Sequence, residues 1–148
     1  MNPSARRAQI RKGDLNLPKK NNLKSKEHNG DYIPEELIGL KMRNGLNSIN
    51  IAPEFGLIET QTYLNQIKNR KQLFDRYWEI CYNSKKWEKW VGKDFDPIKQ
   101  KENLIKICGH YVLSNKQFIN DIKSQFEDID KLIKKNIMNK LISLHKTV

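Results

Sequence analysis

Cysteine is scarce in this chain: 148 residues hold only Cys81 and Cys108, each in an apolar helical context, "WEICY" and "IKICGH". Two such positions exclude a disulfide scaffold and read as buried thiols in a reducing compartment, cytosolic or mitochondrial. No apolar run approaches the roughly 20 residues of a membrane span. A secretory hydrophobic segment is also missing, so the chain is expected to be soluble or peripheral. There is no phosphate-binding glycine loop, nucleophile elbow, HExxH or CxxC. The chain is therefore expected to be no enzyme and to carry no cofactor.

Acidic residues are absent where they would matter most for charge balance. The net charge is +11, from 28 Lys and Arg against 17 Asp and Glu. Residues 1–31 carry eight bases and three acids, residues 131–148 carry five Lys and no acid, and the stretch between has fifteen bases against fourteen acids. Codon bias toward Lys and Asn accounts for 22 Lys beside 6 Arg and for 16 Asn, but not for acids missing from the two ends. Cationic ends on a near-neutral body attract nucleic acid, acidic protein or anionic lipid over about 8–10 Å in physiological salt.

The first 31 residues hold Pro3, Gly13, Pro18 and Gly30 with few large apolar side chains. They cannot bury enough surface to fold alone and read as an extended basic arm, with a helical domain over 32–148. Arg6, Arg7 and Arg11 also suit a mitochondrial presequence, yet Asp14 and Pro18 interrupt it, and Ile10, Leu15 and Leu17 make a thin apolar stripe.

Helical signals dominate the rest. "PEELIGLKMRNG" places acids at the start and bases at the end of a short helix over about 35–44, with Gly45 as its stop. "LNSINIAPEFGLIE" reads as a packed irregular connection rather than a strand. Leu64, Ile67, Phe74, Tyr77, Trp78 and Cys81 predict one long amphipathic helix over about 59–82. Asp96 and Pro97 open a helix to about 112, with Ile98, Ile105, Cys108 and Val112 on one face. Ser114 with Gln117 forms a capping-box pattern for a last helix of about 30 residues, its apolar positions running from Phe118 to Leu144. The fold class is all-α, a three- or four-helix arrangement with an extended basic N-terminal arm and a long C-terminal helix. A helix that long outruns a small core, so Ile137, Leu141 and Leu144 are candidate contacts for a helix of another chain.

Candidate chemistry is thin. A zinc site would need Cys81, Cys108, His110 and a distant histidine, but Cys108 and His110, two apart on a helix, point to different faces. Asp75 and Glu79 have the i, i+4 spacing of carboxylate metal sites but lack the Glu-x-x-His partners, and a solvated face beside Lys71 and Arg76 explains them better. A cysteine nucleophile would need His110 close to Cys81 and an activating positive site. The segment "LFDRYWEICYNSKKWEKW" is the more informative one. Tyr77, Trp78, Tyr82, Trp87 and Trp90 alternate with Arg76, Lys85, Lys86 and Lys89, a composition shared by helical cores, protein interfaces and base-stacking surfaces.

The expected function is that of a non-catalytic structural subunit of a large ribonucleoprotein assembly of ribosomal type. Arg6, Arg7, Arg11, Lys12, Lys19 and Lys20 would run along RNA phosphates, while Trp78, Trp87 and Trp90 face other protein subunits. The alternative is an accessory subunit of a respiratory complex or cytoskeletal filament, with the arm on acidic protein. A DNA-binding module is a third class, without a turn-and-recognition-helix signature.

Overall fold

The computed structural model describes residues 23–147, and among them the fold is all-α. Six α-helices are joined by turns and two 3-10 segments: α1 (Glu35–Arg43), α2 (Pro53–Ile67), α3 (Lys71–Asn83), α4 (Lys101–Cys108), α5 (Lys116–Gln125) and α6 (Ile129–Thr147). Two-residue strands, β1 (Lys26–Glu27) and β2 (Ser48–Ile49), pair in parallel, Lys26 opposite Ser48 and Glu27 opposite Ile49. The chain divides into one unit made of residues up to Glu54 plus those from Met138 onward, and a second made of Phe55–Ile137.

Polar groups hold the first unit. Helix α1 ends in a Schellman turn: Leu46 N–H bonds Lys41 C=O, Gly45 N–H bonds Met42 C=O, each at 3.0 Å, and Gly45 takes the left-handed φ of 104° that the turn requires. Among the described residues only Ile38 and Leu46 supply buried large apolar side chains here, and Lys41 is buried with its ammonium 2.5 Å from the Glu27 carboxylate. Buried Asp31 caps α2 from 21 residues upstream, its Oδ1 accepting the N–H of Ala52 (3.0 Å) and Glu54 (2.8 Å). Lys140 bonds Glu54 at 2.9 Å and Glu35 at 3.3 Å, and the Ser143 hydroxyl donates to Glu35. That hydroxyl holds the Glu35 carboxyl below its usual range against partial desolvation, with Lys140 adding to the effect. Burial pulls the Lys140 ammonium down, but its bonds to Glu54 and Glu35 prevail and raise it above the ordinary lysine range.

Apolar packing holds the second unit. Tyr63, Leu64, Ile67, Leu73, Tyr77, Cys81, Leu104, Ile105, Cys108, Phe118, Ile122, Ile129 and Ile133 form one continuous core. Helix α3 packs against α4 and α5, and Tyr77 meets Phe118 ring to ring at 4.8 Å. Gly109 follows α4 because the backbone there passes close to Thr60 and Tyr77: a Cβ would lie 2.6 Å from Thr60 Cγ2 and 2.7 Å from the Tyr77 hydroxyl.

Several expected elements differ in detail. The helix expected over 59–82 is two helices, α2 beginning at Pro53 and α3 ending at Asn83, with a turn at Lys68–Arg70. Where one continuous stripe needs an apolar side chain after Ile67, the chain has exposed Arg70 and Lys71, and the buried series resumes one step out of phase at Leu73, Tyr77 and Cys81. The last helix also breaks, at Phe126, whose φ of −138° and ψ of 82° are extended, and Asp128 C=O accepts the first bond of α6. The α5 cap is Asn115, whose Oδ1 accepts Phe118 N–H at 3.0 Å, rather than Ser114 with Gln117. Asp96 does cap, accepting from Ile98 and Lys99 N–H, but 97–100 are turns and regular helix starts at Lys101. Ile98 is consequently exposed rather than on the apolar face. The connection expected to be free of strands contains β2, which pairs with residues far away in sequence.

Candidate nucleic-acid interface

The basic arm residues Arg6, Arg7, Arg11, Lys12, Lys19 and Lys20 lie outside the described residues. The aromatic segment lies within them, in the second unit, and divides into a packed row and an outward group. The row runs Trp78, Tyr82, Trp87, Phe95, with centroids 5.3, 5.9 and 5.8 Å apart in turn and the Tyr82 and Trp87 planes only 19° from parallel. Its indole N–H groups bond inside the chain, Trp78 to Pro97 C=O at 3.0 Å and Trp87 to Tyr82 C=O at 3.1 Å. An indole whose polar edge is satisfied internally is a packing element first. Trp87 is buried and Trp78 half-buried, whereas Trp90 is 54% exposed.

The residues after α3 build the outward group. That helix ends at Asn83; the hydroxyl of the capping Ser84 donates to Cys81 C=O at 2.6 Å, and the next residue, Lys85, adopts φ 57°. A glycine usually occupies such a left-handed position, because a Cβ there costs about 1–2 kcal/mol. Lys85 places its ammonium 4.6 Å from the Tyr82 ring centroid and 5.9 Å from that of Trp87, with Glu88 at 3.6 Å. The 3-10 segment Glu88–Trp90 then brings Lys89 to 4.9 Å from the Trp90 ring and 5.4 Å from that of Tyr111. Tyr111, 38% exposed, comes from the 3-10 turn after α4. Its part in this group had no signal in the local pattern except Gly109, which ends α4 and turns the following residues outward. Lys101 lies 4.1 Å over the Trp78 ring and bonds Asp75 at 2.8 Å.

Other candidates are accounted for structurally. Asp75 is bound by Lys101 and Lys71, whose hydrogen bonds hold its carboxyl below the usual range, while Glu79 is exposed. Cys81 and Cys108 are fully buried, the Cys108 thiol donating to Cys81 C=O at 3.8 Å. The hydrogen bond with Cys108, together with burial, pushes the Cys81 thiol up, away from thiolate chemistry. His110 packs beside Gly56, where a Cβ would meet its own at 2.7 Å, and its ring lies 3.9 Å from that of Tyr111, tilted by 40°. Among the described residues no three of His, Cys, Asp or Glu gather as a metal site. A cleft of about 490 Å³ beside the start of α3 presents Arg70, Lys71 and Arg76. Its cations are already engaged, Lys71 with Asp75, Arg76 with Asp121, and Arg70 over the Phe126 ring at 5.8 Å.

On α6, Ile137 packs against the core of the second unit, and Leu144 is half-buried. The exposed apolar side chains there are Met138, Leu141 and Ile142. Among the described residues no helix is long and apolar enough to cross a membrane. No family model, curated protein or solved structure matches this chain.

Proposed function

We propose that this chain is a non-catalytic accessory subunit of a large ribonucleoprotein assembly, cytosolic or mitochondrial, with Arg6, Arg7, Arg11, Lys12, Lys19 and Lys20 lying along RNA phosphates. One observation carries the reading: ten of the sixteen acids among the described residues are paired with the fold's own bases. Glu27 binds Lys41, Asp75 binds Lys71 and Lys101, Asp121 binds Arg76, Glu102 binds Lys106, Asp130 binds Lys123, Asp128 binds Lys131, and Glu35 and Glu54 both bind Lys140. The first 22 residues add six cations against one acid, an excess that calls for counter-charge. A densely anionic polymer supplies it with no demand for a shaped pocket, and lysine, a point charge, serves such an arm well.

The test compares the full chain with a full-length variant in which those six residues are Gln, binding structured RNA across about 50–300 mM salt. The variant is expected to show a log-log salt slope shallower by several units. Equal slopes would remove the arm from RNA binding. They would move weight to the second reading, an accessory subunit of a protein assembly such as a respiratory complex or filament. Exposed Met138, Leu141 and Ile142, at 54, 44 and 45%, favour a protein partner on α6 in either case.

A further inference from the structure

Between Ser84 and Lys93 the chain carries Lys85, Lys86, Lys89 and Lys93 against the single acid Glu88, and within this cationic turn stands Trp90. The three tryptophans of the protein are treated differently by the fold. Trp78 and Trp87 are packed into the aromatic row with their N–H groups bonded to backbone carbonyls, whereas more than half of the Trp90 surface is left in water. Tyr111 is exposed beside the same lysine, Lys89, whose ammonium lies within 6 Å of both rings. Two outward rings that share one long-stemmed cation, in a turn rich in further lysines, is an arrangement that a core has no need of.

We propose that Trp90 and Tyr111 form a stacking platform for unpaired bases of single-stranded RNA, with Lys85, Lys86, Lys89 and Lys93 meeting the adjoining phosphates. The proposal rests on the RNA reading above and assigns to the folded part a contact separate from the arm. An unpaired base offers a π-face to the indole, which a duplex withholds, and its phosphate draws Lys89 off the rings it covers in the free protein. Charge and shape together decide against a protein occupant of the same patch. An acidic peptide would satisfy the lysines, but it would leave the indole face without a flat partner. Lys85, at a left-handed φ of 57°, holds its ammonium over the Tyr82 and Trp87 rings and adds a cation to the same turn.

The experiment titrates full-length protein with a twelve-nucleotide oligouridylate and with a blunt-ended RNA duplex, reading both fluorescence anisotropy and tryptophan quenching. Trp90→Ala is expected to weaken oligouridylate binding about fivefold or more, to leave duplex binding within about twofold, and to keep the salt slope unchanged, because stacking is lost and phosphate contacts are kept. Quenching by oligouridylate disappears in this variant, and Trp90→Phe restores most of the affinity. The arm variant behaves oppositely, losing salt slope on both RNAs while quenching at saturation persists. Oligouridylate binding by Trp90→Ala within about twofold of wild type, or quenching that survives the substitution, overturns the platform while the arm comparison still stands. Wild-type protein that binds neither RNA overturns both readings.

Discussion

The two units of this small protein are held by different forces. In the first, two buried large apolar residues, Ile38 and Leu46, stand among ion pairs and caps: Lys41 with Glu27, Asp31 on the start of α2, Lys140 with Glu35 and Glu54. In the second, a continuous apolar core from Tyr63 to Ile133 contains Ile67, Tyr77, Cys81, Leu104, Ile105, Cys108, Phe118 and Ile122, all at 0% exposure. Hydrophobic burial is not screened by salt and is weakly sensitive to pH, whereas ion pairs are screened and titrate. Conditions should therefore separate what the covalent chain joins.

The largest expected effect is on the apolar side. Phe118→Ala removes a fully buried ring in contact with Tyr77 and should cost about 3–5 kcal/mol in urea unfolding. A loss under about 1 kcal/mol would mean that this core is not what holds the second unit. Next comes overpacking at the same place. Gly109→Ala sets a methyl against Thr60 and Tyr77 and should cost about 1–3 kcal/mol. In the first unit, Asp31→Ala leaves two backbone donors at the start of α2 without their acceptor, for about 1–2 kcal/mol, while Asp31→Asn keeps one acceptor oxygen and should recover most of it.

The pH response sharpens the contrast. Glu35 titrates below its ordinary value in the folded state, so its contribution is complete above that value and is lost as pH falls through the depressed folded value. Lys140 titrates above its ordinary value, so its contribution is complete below that value and fades as pH rises through the folded one. Amide exchange should show α1 losing protection between neutral pH and about pH 3 while α5 amides around Phe118 keep theirs. Equal loss in both places would erase the distinction. The smallest effect concerns Lys85→Gly. Relief of the left-handed strain opposes the loss of an ammonium over two rings, and stability should stay within about 1 kcal/mol of wild type.

Much of the helical content was legible from periodicity, and the places where it failed have physical causes. Ile122, Phe126, Ile129 and Ile133 keep helical spacing straight through the break between α5 and α6, so an apolar pattern has no means of registering it. The better signal was the acidic run Glu127, Asp128 and Asp130, which suits the positive end of a new helix. At Lys68–Arg70 the warning was an apolar stripe that lapses between Ile67 and Leu73. The aromatic segment was legible in composition but not in its division, because whether a tryptophan packs or projects depends on neighbours such as Phe95, Pro97 and Tyr111 that arrive from elsewhere in the chain.

Local chemistry was enough to determine an all-α class, the charge imbalance between ends and middle, the α1 stop at Gly45 and the buried character of both cysteines. These depend on the period of the helix, on glycine's tolerance of positive φ and on the burial preference of thiols, each carried by a few neighbouring residues. Tertiary structure decided which tryptophan stays in water, which carboxylate caps α2, and where the two long stripes break. Those outcomes depend on partners distant in the chain, and no local pattern encodes whether such a partner will be within reach.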